Sequence, residues 1–106
     1  MLAGWSQGTN LAYALALASG RPRPAGLVAL GGGFRDEYPP DLAHPLPPTA
    51  IAHGRADASV PVDVARQARD VLVRAGATVL YRETDVGHAI DPTGIPDLRA
   101  FLAALP

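Results

Sequence analysis

Short apolar runs that alternate with helix-like segments constrain the fold of this 106-residue chain more than any other feature. Brief apolar runs bounded by turn formers are typical of buried strands, and apolar residues at three- and four-residue intervals are typical of helices. Strands that alternate with helices favour a parallel sheet covered by helices. We therefore predict an α/β fold with about four mostly parallel strands and flanking helices. The predicted strands are residues 1–3, 26–30, 49–53 and 78–84, and the predicted helices are 7–19, 62–75 and 95–105.

Three features of this pattern refine the prediction. The strand at 78–84 carries charged residues, so we expect it near the edge of the sheet. Residues 34–48 are rich in proline and are expected to form an irregular loop. The run of Gly31, Gly32 and Gly33 is not followed by the lysine and the serine or threonine of a phosphate-binding loop. A flexible strand exit is therefore the simpler interpretation.

The composition is that of one small globular domain, which we assign to residues 1–106. Hydrophobic residues make up 48% of the chain and charged residues 18%, and the net charge is −1. The basic residues are scattered, so there is no electrostatic case for a nucleic-acid partner. The chain has no cysteine, which excludes disulfides and thiolate metal sites and fits a reducing compartment.

The apolar run at 11–18 has the length of a signal-peptide core. No lysine or arginine precedes it, however, and it is far shorter than the roughly 20 apolar residues that cross a bilayer. We interpret the run as a buried helix of a cytoplasmic protein with no membrane span. Because its apolar residues lie on nearly all sides, both faces of this helix are expected to be covered by protein.

The first predicted strand leads into the pentapeptide Gly-Trp-Ser-Gln-Gly at residues 4–8. Its G-x-S-x-G form, between a strand and a helix, is typical of a nucleophile elbow that exposes a serine hydroxyl. We expect both glycines, Gly4 and Gly8, to leave room for a close backbone approach. The competing interpretation is that Ser6 only caps the helix.

Asp57 and His88 strengthen the catalytic interpretation, because each follows the end of a different predicted strand, as Ser6 does. In parallel sheets the functional groups gather at the carboxyl ends of the strands. A serine hydroxyl needs a base to become nucleophilic, and a carboxylate can fix the tautomer of a histidine base. The order of serine, aspartate and histidine along the chain is one of those known for such triads.

Other residues could compete for these roles. His53 is expected to be a structural, hydrogen-bonded histidine, and His44 is expected to be exposed in the proline-rich loop. Asp63 fits the first turn of a helix, where a carboxylate is favourable. Asp85 and Asp91 flank His88 and could orient it, although Asp91 before Pro92 also resembles a helix N-cap. No group of histidine and acidic residues has metal-ligand spacing, so we expect no metal.

Three motifs in order resemble the phospholipase/carboxylesterase family of the α/β-hydrolases. They are Gly-Trp-Ser-Gln-Gly at 4–8, His-Gly-Arg-Ala-Asp-Ala-Ser-Val-Pro at 53–61 and Gly-His-Ala-Ile at 87–90. The resemblance covers nearly the whole chain and is much more specific than the pentapeptide alone. The chain differs from the related dienelactone hydrolases, because these have cysteine at the position of Ser6.

The resemblance implies Ser6 as the nucleophile, His88 as general base and then acid, and Asp57 as the partner that orients it. It also implies that the backbone N–H of Gln7 donates to the oxyanion. Members act on carboxylic esters, and on thioesters or lysophospholipids, through an acyl-enzyme and without a cofactor. A small departure is Thr9, where many relatives have a further glycine.

The large departure is that the resemblance is to the C-terminal half of such a hydrolase, with the strands that precede the elbow absent. In the family an early loop supplies the second oxyanion N–H. We also expect an unpaired sheet edge at residues 1–3, through which the chain could form a homo-oligomer or bind a complementing segment. The alternative to an esterase is therefore a non-catalytic fragment or an interaction module that pairs through this edge.

Overall fold

A computed structural model of the chain describes residues 1–106. Four strands and three α-helices alternate in the predicted order, and a short 3₁₀ helix precedes the last α-helix. The strands are β1 (Leu2–Trp5), β2 (Leu27–Leu30), β3 (Thr49–Gly54) and β4 (Val79–Thr84). The helices are α1 (Gln7–Ala16), α2 (Val62–Arg74) and α3 (Ile95–Ala103), and the 3₁₀ turn is Pro92–Gly94.

The four strands form one sheet in the order β1-β2-β3-β4, and each neighbouring pair is parallel. This confirms the prediction of a parallel α/β sheet, and it places the charged strand β4 at an edge as expected. The strands β2 and β3 are almost wholly buried, as their continuous apolar sequences predict. Because all four strands run the same way, the loops that follow them meet at one edge of the molecule.

The core lies between the sheet and the helices α1 and α2. Side chains alternate between the two faces of a strand, so residues two apart share one face. Leu27 and Ala29 of β2 and Ile51 of β3 face these helices, where Ala68 and Leu72 of α2 pack against them. The helix α3 lies on the other face of the sheet, where Asp97 pairs with Arg82 of β4 at 2.8 Å, and none of the residues of α3 is buried.

The prediction that both faces of α1 are covered is wrong. Thr9, Ala12 and Tyr13 are buried against the sheet, whereas Leu11 is 60% exposed and Leu15 is 37% exposed. The reason is that α1 packs against β1 and β2 with one side, and no second layer lies over the other. None of the helices combines the length and the apolar character needed to cross a membrane.

The helix α1 also ends earlier than predicted, at Ala16 rather than near residue 19. Leu17 caps it, with an N–H that donates to Tyr13. The carbonyl of Leu17 accepts a hydrogen bond of 2.8 Å from the N–H of Asp41 in the proline-rich loop. The last helical carbonyl groups therefore find partners outside the helix, which a helical sequence pattern does not reveal.

Candidate active site

The pentapeptide forms a sharp turn between β1 and α1, as predicted. Ser6 is the single residue between them and is the only non-glycine residue with positive φ, at φ 55° and ψ −117°. Such a backbone is costly for a residue with a β-carbon, and it persists where the surrounding structure enforces it. The turn separates the Ser6 side chain from both the strand and the helix, which is the geometry of a nucleophile elbow.

The two glycines of the pentapeptide have different roles. A β-carbon on Gly4 would overlap the carbonyl group of Gly8, because the first turn of α1 lies directly against β1. A β-carbon on Gly8 would meet nothing within 4 Å. The prediction of a close approach is therefore confirmed for Gly4 and wrong for Gly8. An added β-carbon would meet neighbouring backbone atoms in the strand, at Gly4, but none in the helix, at Gly8.

The Ser6 hydroxyl makes no cap hydrogen bond to the first turn of α1, which removes the main argument for a purely capping serine. Its Oγ lies 3.0 Å from Nε2 of His88, although the two residues are 82 positions apart in sequence. This is within the distance at which a base can accept a hydroxyl proton. The structure thus brings together two of the residues that the sequence singled out.

Asp57 completes the group from the loop that follows β3. Its Oδ2 lies 2.7 Å from Nδ1 of His88, and its Oδ1 accepts hydrogen bonds of 2.8 Å from the N–H groups of Ser59 and Val60. The side chain is 1% exposed. Burial alone raises the pKa of this carboxyl, but the donors from Val60, His88 and Ser59 outweigh it and hold the pKa below its ordinary value. Asp57 is therefore a carboxylate at neutral pH.

Gln7 is the first residue of α1, directly after Ser6. The first N–H groups of a helix have no acceptor within the helix, and the helix dipole makes this end attractive to negative charge. The backbone N–H of Gln7 therefore has no acceptor within α1 and follows Ser6 directly in the chain. Its role as the oxyanion donor remains a prediction.

Trp5, the residue immediately before Ser6, stacks on His88. The ring centroids are 4.7 Å apart and the planes are inclined by 30°. Trp5 also packs against Gly31, which has φ 64° and whose β-carbon would lie 2.7 Å from the indole ring. No sequence signal points to this contact, because the motif leaves the position of Trp5 open to any residue.

The three glycines form the exit from β2, as predicted, but they are buried and closely packed, so the expectation that this exit is flexible is wrong. A β-carbon on Gly32 would lie 2.6 Å from the Ser6 carbonyl oxygen, and the N–H of Gly33 donates to the Asn10 side chain at 3.0 Å. These residues are glycine because the segment packs closely against the elbow and α1. They support the turn that carries Ser6.

A comparison with models of known protein families matches residues 1–105 to Phospholipase/Carboxylesterase. The chain belongs to the phospholipase/carboxylesterase family. This confirms the resemblance seen in the three motifs and shows the fold to be that of a partial α/β-hydrolase. The match includes the elbow, the loop of Asp57 and the loop of His88.

Solved structures support the same fold. Esterase PE8 is 27% identical, with a TM-score of 0.82, and the match covers 98% of this chain and 49% of that one. Atu2452 from Agrobacterium tumefaciens, a protein described as of unknown function, is 25% identical, with a TM-score of 0.81 and coverages of 98% and 50%. Acyl-protein thioesterase 2 from Zea mays is 22% identical, with a TM-score of 0.70 and coverages of 96% and 54%, and it shows the fold alone. The chain spans about half the length of these proteins.

Thr9, where the resemblance implies a further glycine, connects the first turn of α1 to β2. Its buried hydroxyl donates to the Leu30 carbonyl oxygen at 2.6 Å and accepts from the Leu30 N–H at 3.0 Å. A glycine at this position could make neither hydrogen bond. The departure therefore adds a contact between α1 and the end of β2.

None of the competing residues hydrogen-bonds to Ser6. His53 is buried, and its Nε2 lies 2.7 Å from the Val60 carbonyl oxygen and 3.5 Å from Oδ2 of Asp57, which confirms a structural, hydrogen-bonded histidine. Asp85 pairs with Arg55 at 2.8 Å and does not contact His88. Asp91 accepts from the N–H of Thr93 and caps the 3₁₀ turn, as its sequence predicted. His44 is exposed. No three histidine or acidic side chains lie close enough together to hold a metal ion.

Proposed function

We propose that this chain is a serine hydrolase of carboxylic esters, with Ser6 as nucleophile, His88 as general base and acid, and Asp57 as the orienting carboxylate. The observation that supports the proposal is the continuous hydrogen-bonded series from Ser6 through His88 to Asp57, with separations of 3.0 Å and 2.7 Å. A serine on a strained turn, a histidine and a buried carboxylate in this series form the arrangement that activates a hydroxyl.

In the first half of the reaction, Ser6 Oγ attacks the carbonyl carbon of the ester while Nε2 of His88 takes the hydroxyl proton. The carbonyl oxygen becomes an oxyanion, to which the backbone N–H of Gln7 donates a hydrogen bond. The bond from the carbonyl carbon to the alcohol oxygen then breaks, and His88 returns its proton to the departing alcohol. An acyl group remains on Ser6.

In the second half, water attacks the acyl carbon and His88 takes one of its protons. The bond between the acyl carbon and Ser6 Oγ breaks, and His88 gives the proton back to Ser6 as the carboxylic acid leaves. Asp57 keeps its negative charge throughout and stabilises the imidazolium at each proton transfer. The cycle restores the free serine and needs no cofactor.

Family membership supports ester-type substrates, and so does the likeness to esterase PE8 at 27% identity. Thioesters and lysophospholipids present the same acyl carbonyl to the nucleophile, so the same steps apply to them. In a thioester the bond to sulfur breaks and the thiol leaves with the proton from His88. We propose simple carboxylic esters as the first substrates to measure.

Hydrolysis of a short p-nitrophenyl ester tests this function. We expect release of p-nitrophenol by the wild type and loss of that release in Ser6→Ala. Ser19→Ala is the matched control, because Ser19 is an exposed serine that bonds only to Asp41. If Ser6→Ala hydrolyses the ester as fast as the wild type and Ser19→Ala, the proposed function is wrong.

A second candidate function is association through the edge of β1. This strand pairs with β2 alone, so its other edge has unpaired backbone groups, and Met1 beside it is 59% exposed. We propose that a second copy of the chain pairs there. Light scattering after size exclusion should give twice the chain mass, and Ala3→Pro, which removes an N–H within β1, should give the single mass. A single mass for the wild type would contradict pairing between copies.

A further inference from the structure

Two in-plane hydrogen bonds do not fully fix the His88 ring. Ser6 lies at Nε2 and Asp57 lies at Nδ1, so both contacts are at the ring edge. The ring can still tilt about the line that joins its two nitrogens, as far as the bond from Cγ to Cβ allows, and such a tilt misaligns the lone pair of Nε2 with the hydroxyl. A contact on the flat face of the ring opposes this tilt.

The backbone around His88 does not supply that contact. Residues 85–91 contain neither helix nor strand. The loop is held by contacts that do not involve the imidazole ring: the Ala56 N–H donates to the Val86 carbonyl oxygen at 3.1 Å, Arg55 pairs with Asp85 at 2.8 Å, and the Ala89 N–H donates to the Gly87 carbonyl oxygen. The His88 side chain itself is 28% exposed, so a packed shell does not surround it.

Trp5 supplies a face contact from a residue of the sheet. Its backbone belongs to β1, paired with Leu30 of β2, and its indole is supported by Gly31, where any larger residue would displace it. The indole lies 4.7 Å from the imidazole, centroid to centroid. The neutral indole of Trp5 therefore contacts the face of the His88 ring. The Asp57 carboxylate contacts its Nδ1 edge.

We propose that Trp5 is a positioning residue, which holds the His88 imidazole in line with Ser6 by stacking on its face. The proposal rests on the proposed function, because it concerns the base of that reaction. Stacked aromatic rings favour one relative orientation, and an indole face attracts a cation. The contact therefore strengthens when His88 gains the serine proton, so it favours the transition state over the bound substrate.

Steady-state kinetics of Trp5→Leu and Trp5→Phe test the role in turnover. Loss of a cation–π contact corresponds to a rate change of about 2- to 30-fold. We expect Trp5→Leu to lower kcat by about that factor while KM changes less than about twofold, and Trp5→Phe to restore most of kcat. Tyr38→Leu, at an aromatic residue that is 63% exposed, is the control and should match the wild type. Equal kcat in Trp5→Leu and the wild type would overturn the proposal, as would a change in KM alone.

Proton NMR of the His88 ring tests the stack independently of turnover. The ring current of Trp5 should move the Cε1–H resonance of His88 upfield in the wild type, and Trp5→Leu should abolish that shift. His88→Asn assigns the resonance. If the wild type hydrolyses no ester, the proposed function fails, but this shift still decides whether the indole lies on the face of the His88 ring. If Trp5→Leu does not fold, Trp5→Phe must keep a reduced upfield shift, and an unshifted wild-type resonance overturns the proposal in either case.

Discussion

Gly54 lies directly against Gly87, so that a β-carbon at position 54 would overlap the carbonyl oxygens of Gly87 and Val86. Gly54 is the last residue of β3, and Gly87 precedes His88. The missing side chain lets the loop of His88 approach the sheet near Asp57. The distance between His88 and Asp57 therefore depends on Gly54, which lies in neither of their loops.

We expect Gly54→Ala to push the His88 loop away from the sheet. Overpacking of this kind costs about 1–3 kcal/mol, and a displacement of about 1 Å at a reacting group can cost about 10²-fold in rate. Ester hydrolysis should fall by about that factor, and the free energy of unfolding in urea should fall as well. Gly87→Ala is the matched control, because a β-carbon there would lie 3.8 Å from the nearest atom, the Ala56 carbonyl oxygen. Similar losses in both variants would show that the contact is not specific to Gly54.

The two glycines of the elbow should respond oppositely to alanine. Gly4→Ala places a β-carbon on the backbone of Gly8, which cannot move without disturbing α1, so we expect a loss of about 1–3 kcal/mol in the free energy of unfolding. Gly8→Ala meets open space within α1 and should gain up to about 1 kcal/mol, because alanine favours a helix. Urea denaturation measures both. A larger loss in Gly8→Ala than in Gly4→Ala would contradict the assigned geometry.

Asp57→Asn should leave the loop intact and still stop the reaction. The asparagine Oδ1 can accept from Ser59 and Val60 as the carboxylate does, so the fold is retained. Its amide donates to Nδ1 of His88, which forces the other tautomer and leaves a proton on the nitrogen facing Ser6. The corresponding change in a serine protease lowers kcat about 10⁴-fold, and we expect a fall of that order. Circular dichroism checks the fold, and a loss below tenfold would mean that Asp57 does not set the tautomer.

Glu83 should make the stability of the fold depend on acid pH. Hydrogen bonds from Arg66, at 2.6 and 3.0 Å, and from Tyr81 lower the pKa of Glu83 from 4.5 to about 2. Because the folded pKa lies below the ordinary value, this stabilisation is complete above about pH 4.5 and is lost as the pH falls towards about 2. Glu83→Gln should lower the free energy of unfolding at pH 7 by about 1.5–3 kcal/mol.

Urea denaturation at several pH values measures that difference, which should disappear near pH 2. The control is Glu37→Gln, because Glu37 forms an exposed ion pair with Arg35 that contributes little in water. A difference between Glu83→Gln and the wild type that is constant from pH 7 to pH 2 would show that charge at Glu83 is not its cause.

The sequence was sufficient to predict the order of the helices and strands and to predict which residues meet at the strand ends. Apolar runs located each strand boundary to within two residues, and a parallel arrangement of the strands predicted that Ser6, Asp57 and His88 gather at one edge. Those inferences depend on local sequence patterns and on the order of the elements, and both can be read from the sequence. They held because the burial of β2 and β3 left little choice of arrangement.

The contacts that hold the site were not predictable in the same way. The stack of Trp5 on His88, the hydrogen bonds of Thr9 to Leu30 and the close approach of Gly87 to Gly54 depend on which elements and loops the fold brings together. A side chain in sequence shows its chemistry but not its neighbour about 80 residues away. The exposure of Leu11 was not predicted for a related reason. Apolar periodicity shows that a face of α1 could be buried, but it does not show whether another element lies over that face.

Reaction of Ser6 with a fluorophosphonate tests most directly whether His88 and Asp57 activate this hydroxyl. Mass spectrometry of the labelled and digested protein should show one adduct, on the peptide that contains Ser6. We expect His88→Ala to slow the labelling by at least about 10³-fold, while Ser19→Ala labels at the wild-type rate. An adduct on another residue, or a Ser6 that reacts equally fast without His88, would contradict the account.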